Sequence, residues 1–409
     1  MRKTLLGLFL LFYAQVNFAQ NPATTFTIPN RIIQLPCGTS CTPINVQVPH
    51  IKQTSSYVVT NPAYVPFDYV TPTGTVVSAI YIDDTWSQVI SLPFSFCFYN
   101  NSFASLLMGS NSAITFDVTR AGLGSGYSIS SSTGAIPNTS YAPNMIFGPY
   151  HDIDPGLSSS NKKIEYRVEG TAPKRRFIAS YNDMPYFGSS CTVERATHQM
   201  VLYEGTGIVE VYIKDKPFCT GWNGGNAILG MQDGTRTQAI APVGKNASQW
   251  GSTGMNECYR FIPYGATPRF KNAKLLVNGT QVATADTSSG TTAGVLNLNF
   301  PNVCPTADST AYVVQVTYGD CNTPTNDVSF TDTVFVKKIA PSATVAKTDP
   351  NCAPNGSITV TAQGGTAPYQ YSINGGTTWQ TSNTFTGLPM SNTKTSPPVV
   401  IAPACTTNW

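Results

Sequence analysis

The sequence predicts an all-β, multi-domain protein, and three observations lead there. Charged residues make up only 11% of the 409 residues, against roughly 25% in an average soluble chain. Gly, Ser, Thr, Asn and Pro take their place, which disfavours long helices, while Thr, Val, Tyr and Phe favour strands. Short alternating segments recur every 8–15 positions between turn residues, the rhythm of a sandwich or jelly roll. Ten cysteines in such a chain point to disulfides and an oxidising compartment.

The first 20 residues supply that compartment. Arg2 and Lys3 precede an apolar run from Leu5 to Tyr13, and Ala19 offers a small residue near a cleavage point. The run is too short to span a bilayer and reads as a secretory signal peptide. No later segment is apolar enough to cross a membrane, so no transmembrane segment is expected. The remaining residues exceed one core. Net charge is +3 and the longest basic run is Lys174-Arg175-Arg176, which gives no electrostatic case for nucleic acid.

The clearest hairpin runs from His198 to Glu204, turns at Gly205-Thr206-Gly207, and returns from Ile208 to Lys214. Val209, Val211 and Ile213 share one face; Glu210, Tyr212 and Lys214 share the other. Cys191 and Cys219 are equidistant from that turn and are expected to meet at the hairpin's open end. Cys37 and Cys41 stand four apart in a Gly/Ser/Thr loop that can close on itself, and Cys304 and Cys321 bracket one strand. Further strands are expected at Tyr57–Val59, Val76–Ile82, Ser91–Phe98, Ala113–Phe116, Lys163–Val168 and Arg176–Tyr181. Pro263 to Pro268 marks a boundary. Beyond it, Asn278-Gly279 joins two strands, and Val295–Phe300, Ala311–Tyr318 and Thr333–Val336 complete an immunoglobulin-like set. The expected division is a signal peptide over 1–20, a sandwich or jelly-roll domain over 21–265, an immunoglobulin-like domain over 266–340, a small repeat over 341–389 and an irregular tail over 390–409.

The last unit carries Gly364-Gly365-Thr366-Ala367-Pro368-Tyr369, then Tyr371 to Gly375, Trp379 and Phe385-Thr386-Gly387-Leu388. In that order these motifs resemble an SprB-type repeat of Bacteroidetes surface adhesins. The resemblance implies a secreted or cell-surface protein tied to attachment or gliding motility. The family's usual last strand is missing from 390–409, as is a sorting domain for type IX secretion; a truncated or frameshifted reading frame would explain both. A second stretch runs from Asn144 to Asp154, through Lys163–Arg167 and Phe177–Tyr181, to Gln199–Tyr203 and its hairpin partner. It is similar to the nidogen-like extracellular domain, which implies a non-enzymatic matrix or cell-surface module.

Candidate chemistry is sparse. Asp152 and Asp154, two apart on a loop, can place two carboxylates on a hard cation such as Ca2+, with Asp68, Asp83, Asp84 and Asp183 as further ligands. The alternative is that they cap turns. As an acid–base pair for glycoside hydrolysis they are disfavoured. Only three histidines exist, and neither a zinc-protease motif nor a nucleophile elbow appears. Trp222 and Trp250 offer flat rings for a glycan, against the alternative of core packing. No cofactor is expected beyond that Ca2+. The favoured function is recognition of an extracellular glycan or surface protein. A carbohydrate-binding module of a polysaccharide-capture system is the runner-up, and a secreted hydrolase is third.

Overall fold

Alternation of apolar and polar residues, with turn residues between, sends nearly every element into antiparallel sheet. The computed structural model describes residues 26, 28, 30–35, 39–132, 134–338, 342–350, 354–363, 367–389 and 400–403. The expected signal peptide over 1–20 and Cys37 lie outside the described residues. Among the described residues no helix is long and apolar enough to cross a membrane.

Two seven-stranded sheets form the first sandwich. The inner sheet contains the hairpin Arg195–Tyr203 and Val209–Asp215, flanked by Arg176–Pro185, Lys163–Glu169 and Glu257–Pro263. The outer sheet runs through Asn226–Gln232, Met145–Tyr150, Ala113–Thr115, Asn101–Gly109 and Ile90–Phe98. Between them Val209, Val211 and Ile213 pack with Phe96, Phe98, Phe177, Leu202 and Phe261, so these three residues do share one face, as their period-two spacing predicts. Burial of this contiguous apolar surface is the main stabilising term. The outer sheet's far side is covered by residues 121–132 and 134–142, with Ile129, Ile136 and Tyr141 against Phe147, Tyr150 and Trp86.

The second sandwich faces a five-stranded sheet (Ile32–Leu35, Asp327–Lys338, Ser309–Gly319, Phe270–Val277, Thr280–Thr284) with a three-stranded one (Asp286–Ser289, Val295–Val303, Thr42–Pro49). Asn278 and Gly279 both take positive φ at the hairpin turn, as the dipeptide demands. Residues 32–49 were expected within 21–265, yet they belong here. Ile32–Leu35 runs parallel to Asp327–Lys338 with Ile32 opposite Phe335, and Val46 lies opposite Leu298. The reason is packing: Leu35, Ile44, Val46 and Val48 fill the same core as Leu275, Phe300, Val314 and Val334.

Three disulfides lie among the described residues. Cys191–Cys219 forms as expected. The other two differ from the local pairings. Cys41 joins Cys304, because Thr42–Pro49 pairs with Val295–Val303 and brings their ends together. Cys321 joins Cys97 at the end of Ile90–Phe98, stapling the two sandwiches. Arg269 fastens the same seam. Its guanidinium donates to the carbonyls of Lys52 (2.9 Å), Gly205 (2.9 Å), Gly319 (3.3 Å) and Thr206. Gly205, the hairpin turn, sits so close that a Cβ there would lie 2.8 Å from Val328. At φ +68° it is also a position that side chains rarely adopt.

Two smaller expectations change. Val76–Ile82 is not one strand: Thr75–Val76 pairs briefly, then Ser78–Ile80 makes a 3-10 turn with Tyr81 N–H on Ser78 O (3.1 Å). That turn buries Ile80 and redirects the chain toward Asp83 and Asp84. In the C-terminal unit, Ser342–Thr348, Gly356–Gln363 and Thr384–Leu388 form one sheet. The tail, expected to be irregular, contributes Val400–Pro403, which pairs antiparallel with Tyr369–Ser372.

Candidate functional site

The end of the first sandwich away from the seam collects the candidate residues. The hairpin register explains why. Leu202 opposite Val209 marks the closed end at the second sandwich, and Thr197 opposite Asp215 marks the open end, roughly 17–20 Å away for strands of this length. At the open end converge the segment 81–86, the turn 110–112, the loop 151–156 after Met145–Tyr150, and the loops 186–194 and 216–225. Cys191–Cys219 joins the last two, and Ile153 bridges to Tyr186.

Asp152 is buried at 5% exposure. Its Oδ2 accepts the Trp222 indole N–H, and its Oδ1 is buried without a hydrogen-bond partner. Two residues singled out for different reasons, one acidic and one aromatic, therefore meet in one place. The expected partner, Asp154, does not join them: its Oδ1 accepts Gly156 N–H (2.8 Å) and caps a turn. Asp83 and Asp84 stand there instead, with carboxylate oxygens of all three residues within 4.8 Å of one another. Asp183 is engaged elsewhere, by Ser159 and Asn161.

Burial dominates the electrostatics. It pushes the Asp152 carboxyl up to about 7, with Asp84, Asp83 and Asp154 adding repulsion against the Trp222 hydrogen bond. Burial and the Asp84 charge push Asp83 up to about 6; Asp84 is also raised, mainly by burial. Asn111 organises the cluster. Its amide donates to Asp84 Oδ1 (2.7 Å) and Gly126 O (2.9 Å), while its Oδ1 accepts Ile153 N–H (3.0 Å). Nothing in the sequence marked this residue; an Asn between two serines reads as an ordinary turn.

The rest of the pole is apolar and partly exposed. Trp222 is 37% exposed and packs against Phe187, ring centroids 4.8 Å apart. Phe218, Tyr127 and Ile82 are also exposed. Asn223 donates to Tyr127 O (3.0 Å), tying the disulfide loop to the segment covering the outer sheet. Trp250 is elsewhere. It is buried, donates its indole N–H to Ala227 O (3.0 Å), and carries Lys245 and Lys216 over its ring. The core-packing alternative holds for it, because its ring faces are already covered.

His151, beside Asp152, is fully enclosed, with Nδ1 on the Pro149 carbonyl and its ring on Tyr186. Burial, aided by the Lys216 charge, holds its pKa well below the usual range. His198 is buried and stacked on Tyr181, 4.8 Å between centroids. Neither presents a ring nitrogen to solvent as a general base must.

Residues 56–272, more than half of the chain, match the family model described as NIDO related. The chain belongs to the NIDO-related family. Residues 344–378 also match the SprB repeat. No curated protein and no solved structure matches it. The NIDO-related region spans the first sandwich and the start of the second, and the pole lies within it. Both modules are of extracellular, surface-associated and non-catalytic types, and the three disulfides suit export.

Proposed function

We propose that this chain is a non-enzymatic recognition protein, secreted or held at the outer cell surface, that engages its partner through the loop pole of the NIDO-related sandwich. One observation carries the reading. Trp222 is exposed on a loop closed by Cys191–Cys219, and its indole is pinned by Asp152. A large ring fixed before contact loses little conformational entropy on binding, which is what an anchor at the centre of an interface requires. Rigid sheets presenting loops at one end are the usual platform for such surfaces.

A glycan is the favoured partner class. The partly exposed Trp222 ring is bonded to Asp152, whose carboxylate stands with those of Asp83 and Asp84, so a face for the apolar side of a sugar adjoins a polar cluster. The SprB repeat supports a role in surface attachment. Glycan-array binding by the full chain tests both statements. Trp222→Ala is expected to lower binding at least tenfold; because Asp152 Oδ2 loses its donor and Phe187 its packing partner, the melting temperature is expected to fall by a few degrees while the transition stays cooperative. Undiminished binding in that variant removes the pole from the interface. Turnover of an ester, peptide or glycoside panel that Asp152→Asn abolishes would overturn the non-enzymatic reading.

A further inference from the structure

We infer that Asp83, Asp84 and Asp152 form a binding site for one Ca2+ ion that clamps the loops of the pole together. The inference stands apart from the choice of partner proposed above, since it concerns an ion and can be tested with the ion alone.

Three observations lead to it. First, spacing: the three carboxylates place one oxygen each within 4.8 Å of the others. Ca2+ holds its oxygens at about 2.3–2.6 Å, so ligands on opposite sides of one ion stand up to about 5 Å apart. Second, an orphaned group: Asp152 is 5% exposed, and its Oδ1 is buried without a hydrogen-bond partner, as is Asp83 Oδ1. A buried anionic oxygen with no donor is costly, and a cation is the direct way to satisfy it. None of the three carboxylates takes part in the ion pairs among the described residues.

Third, support: one oxygen of Asp84 and one of Asp152 are already held by neutral donors. Asn111 donates to Asp84 Oδ1 at 2.7 Å, and the Trp222 indole N–H engages Asp152 Oδ2. Outer hydrogen bonds of this kind orient the carboxylates of metal sites and leave the remaining oxygens for the ion. The donor set is all oxygen and carries three charges, which suits a hard cation. Ca2+ fits better than Mg2+, which requires a tighter octahedron and keeps most of its water. The three ligands come from two segments far apart in sequence, 83–84 and 152. Through Asp152 the ion also reaches Trp222 on the disulfide-closed loop.

The test uses the full chain stripped with EDTA and then titrated with CaCl2 alone. Calorimetry is expected to show saturable uptake of about one Ca2+ per chain, in the 10⁻⁴–10⁻³ M range of extracellular modules. Saturating Ca2+ is expected to raise the melting temperature by about 5 °C, and equal MgCl2 by much less. Asp152→Asn and, separately, the half-buried Asp83→Asn are expected to abolish the Ca2+-dependent rise. In EDTA both are expected to melt at or above the wild-type temperature, because each removes one of three mutually repelling charges; a merely misfolded variant would melt lower. Wild-type protein with neither saturable uptake nor a Ca2+-dependent shift overturns the inference, and so does a full shift retained in both variants.

Discussion

Two buried polar clusters sit on the same sandwich, and they are built on opposite principles. On the inner sheet near the second sandwich, Glu210 is 1% exposed and every partner is in place. Its carboxylate accepts the Tyr203 hydroxyl (2.5 Å), the Tyr212 hydroxyl (2.6 Å) and Arg260 Nε (2.5 Å). Tyr64 and Phe67 cover Tyr212. At the pole, Asp83, Asp84 and Asp152 crowd together with orphaned oxygens. The first cluster is complete within the chain, and so reads as architecture. The second is incomplete without something from outside, and so reads as a site. Burial alone does not separate the two; satisfaction of the buried groups does.

The largest expected effect comes from making the first cluster resemble the second. Glu210→Ala removes the acceptor shared by Tyr203, Tyr212 and Arg260, and is expected to cost about 3–5 kcal/mol. Urea unfolding at pH 7.5 measures it. A loss below about 1 kcal/mol would mean that solvent reaches the cluster and that the contrast with the pole is one of degree. Asp152→Asn in EDTA should move stability the opposite way, as set out above.

Next in size is the staple beside the satisfied cluster. Replacing Cys97 and Cys321 together by serine is expected to lower stability by about 2–4 kcal/mol, with Arg269 still holding the seam by its carbonyl contacts. Two resolved unfolding transitions, where the wild type shows one, would indicate that the disulfide and not the polar seam couples the sandwiches.

His198 is an intermediate case: buried and without a hydrogen-bond partner at either ring nitrogen, but able to stay neutral. Burial lowers its pKa from 6.5 to about 3. A base with a depressed folded pKa binds its proton more readily when unfolded. Its contribution is therefore full above pH 6.5 and is lost as pH falls from 6.5 toward 3. His198→Phe keeps a ring against Tyr181 and removes the titration. It is expected to be nearly neutral at pH 7.5 and to gain on the order of a few kcal/mol over wild type at pH 4. Parallel pH dependence of the two proteins in urea unfolding would exclude this histidine as a source of acid lability.

The interior of the first sandwich was legible because period-two alternation is local. Val209, Val211 and Ile213 face the core, and the equidistance of Cys191 and Cys219 from the turn follows from antiparallel pairing. What covers the hairpin's other face was not legible. Alternation sets Glu210 and Tyr212 on the opposite face without saying what lies against it; Tyr64 and Phe67 cover Tyr212, and that face joins the core of the second sandwich. The two long-range disulfides were hidden for the same reason, since Cys41 and Cys97 meet partners 263 and 224 residues away. At the pole, Asp152 was visible through its Asp-x-Asp spacing, but Asp154 proved to be a turn cap. Choosing Asp83 and Asp84 required the 3-10 turn at Ser78–Ile80, which an apolar Val-Val-Ser-Ala-Ile run conceals as a strand.

The stitching of residues 32–49 into the second sandwich has a consequence for the order in which the protein matures. Ile44, Val46 and Val48 are made early, but their partners Leu296, Leu298 and Phe300 follow some 250 residues later. At about 5–20 residues per second, that interval lasts roughly 10–50 s of synthesis. The NIDO-related sandwich lies within 56–272 and has its own strands in hand by then, whereas the flanking unit cannot close until Asp327–Lys338 arrives to receive Ile32–Leu35. An apolar row must be kept from premature pairing throughout that interval. The second sandwich therefore closes only once every residue from its first strand, Ile32–Leu35, to its last, Asp327–Lys338, has been made.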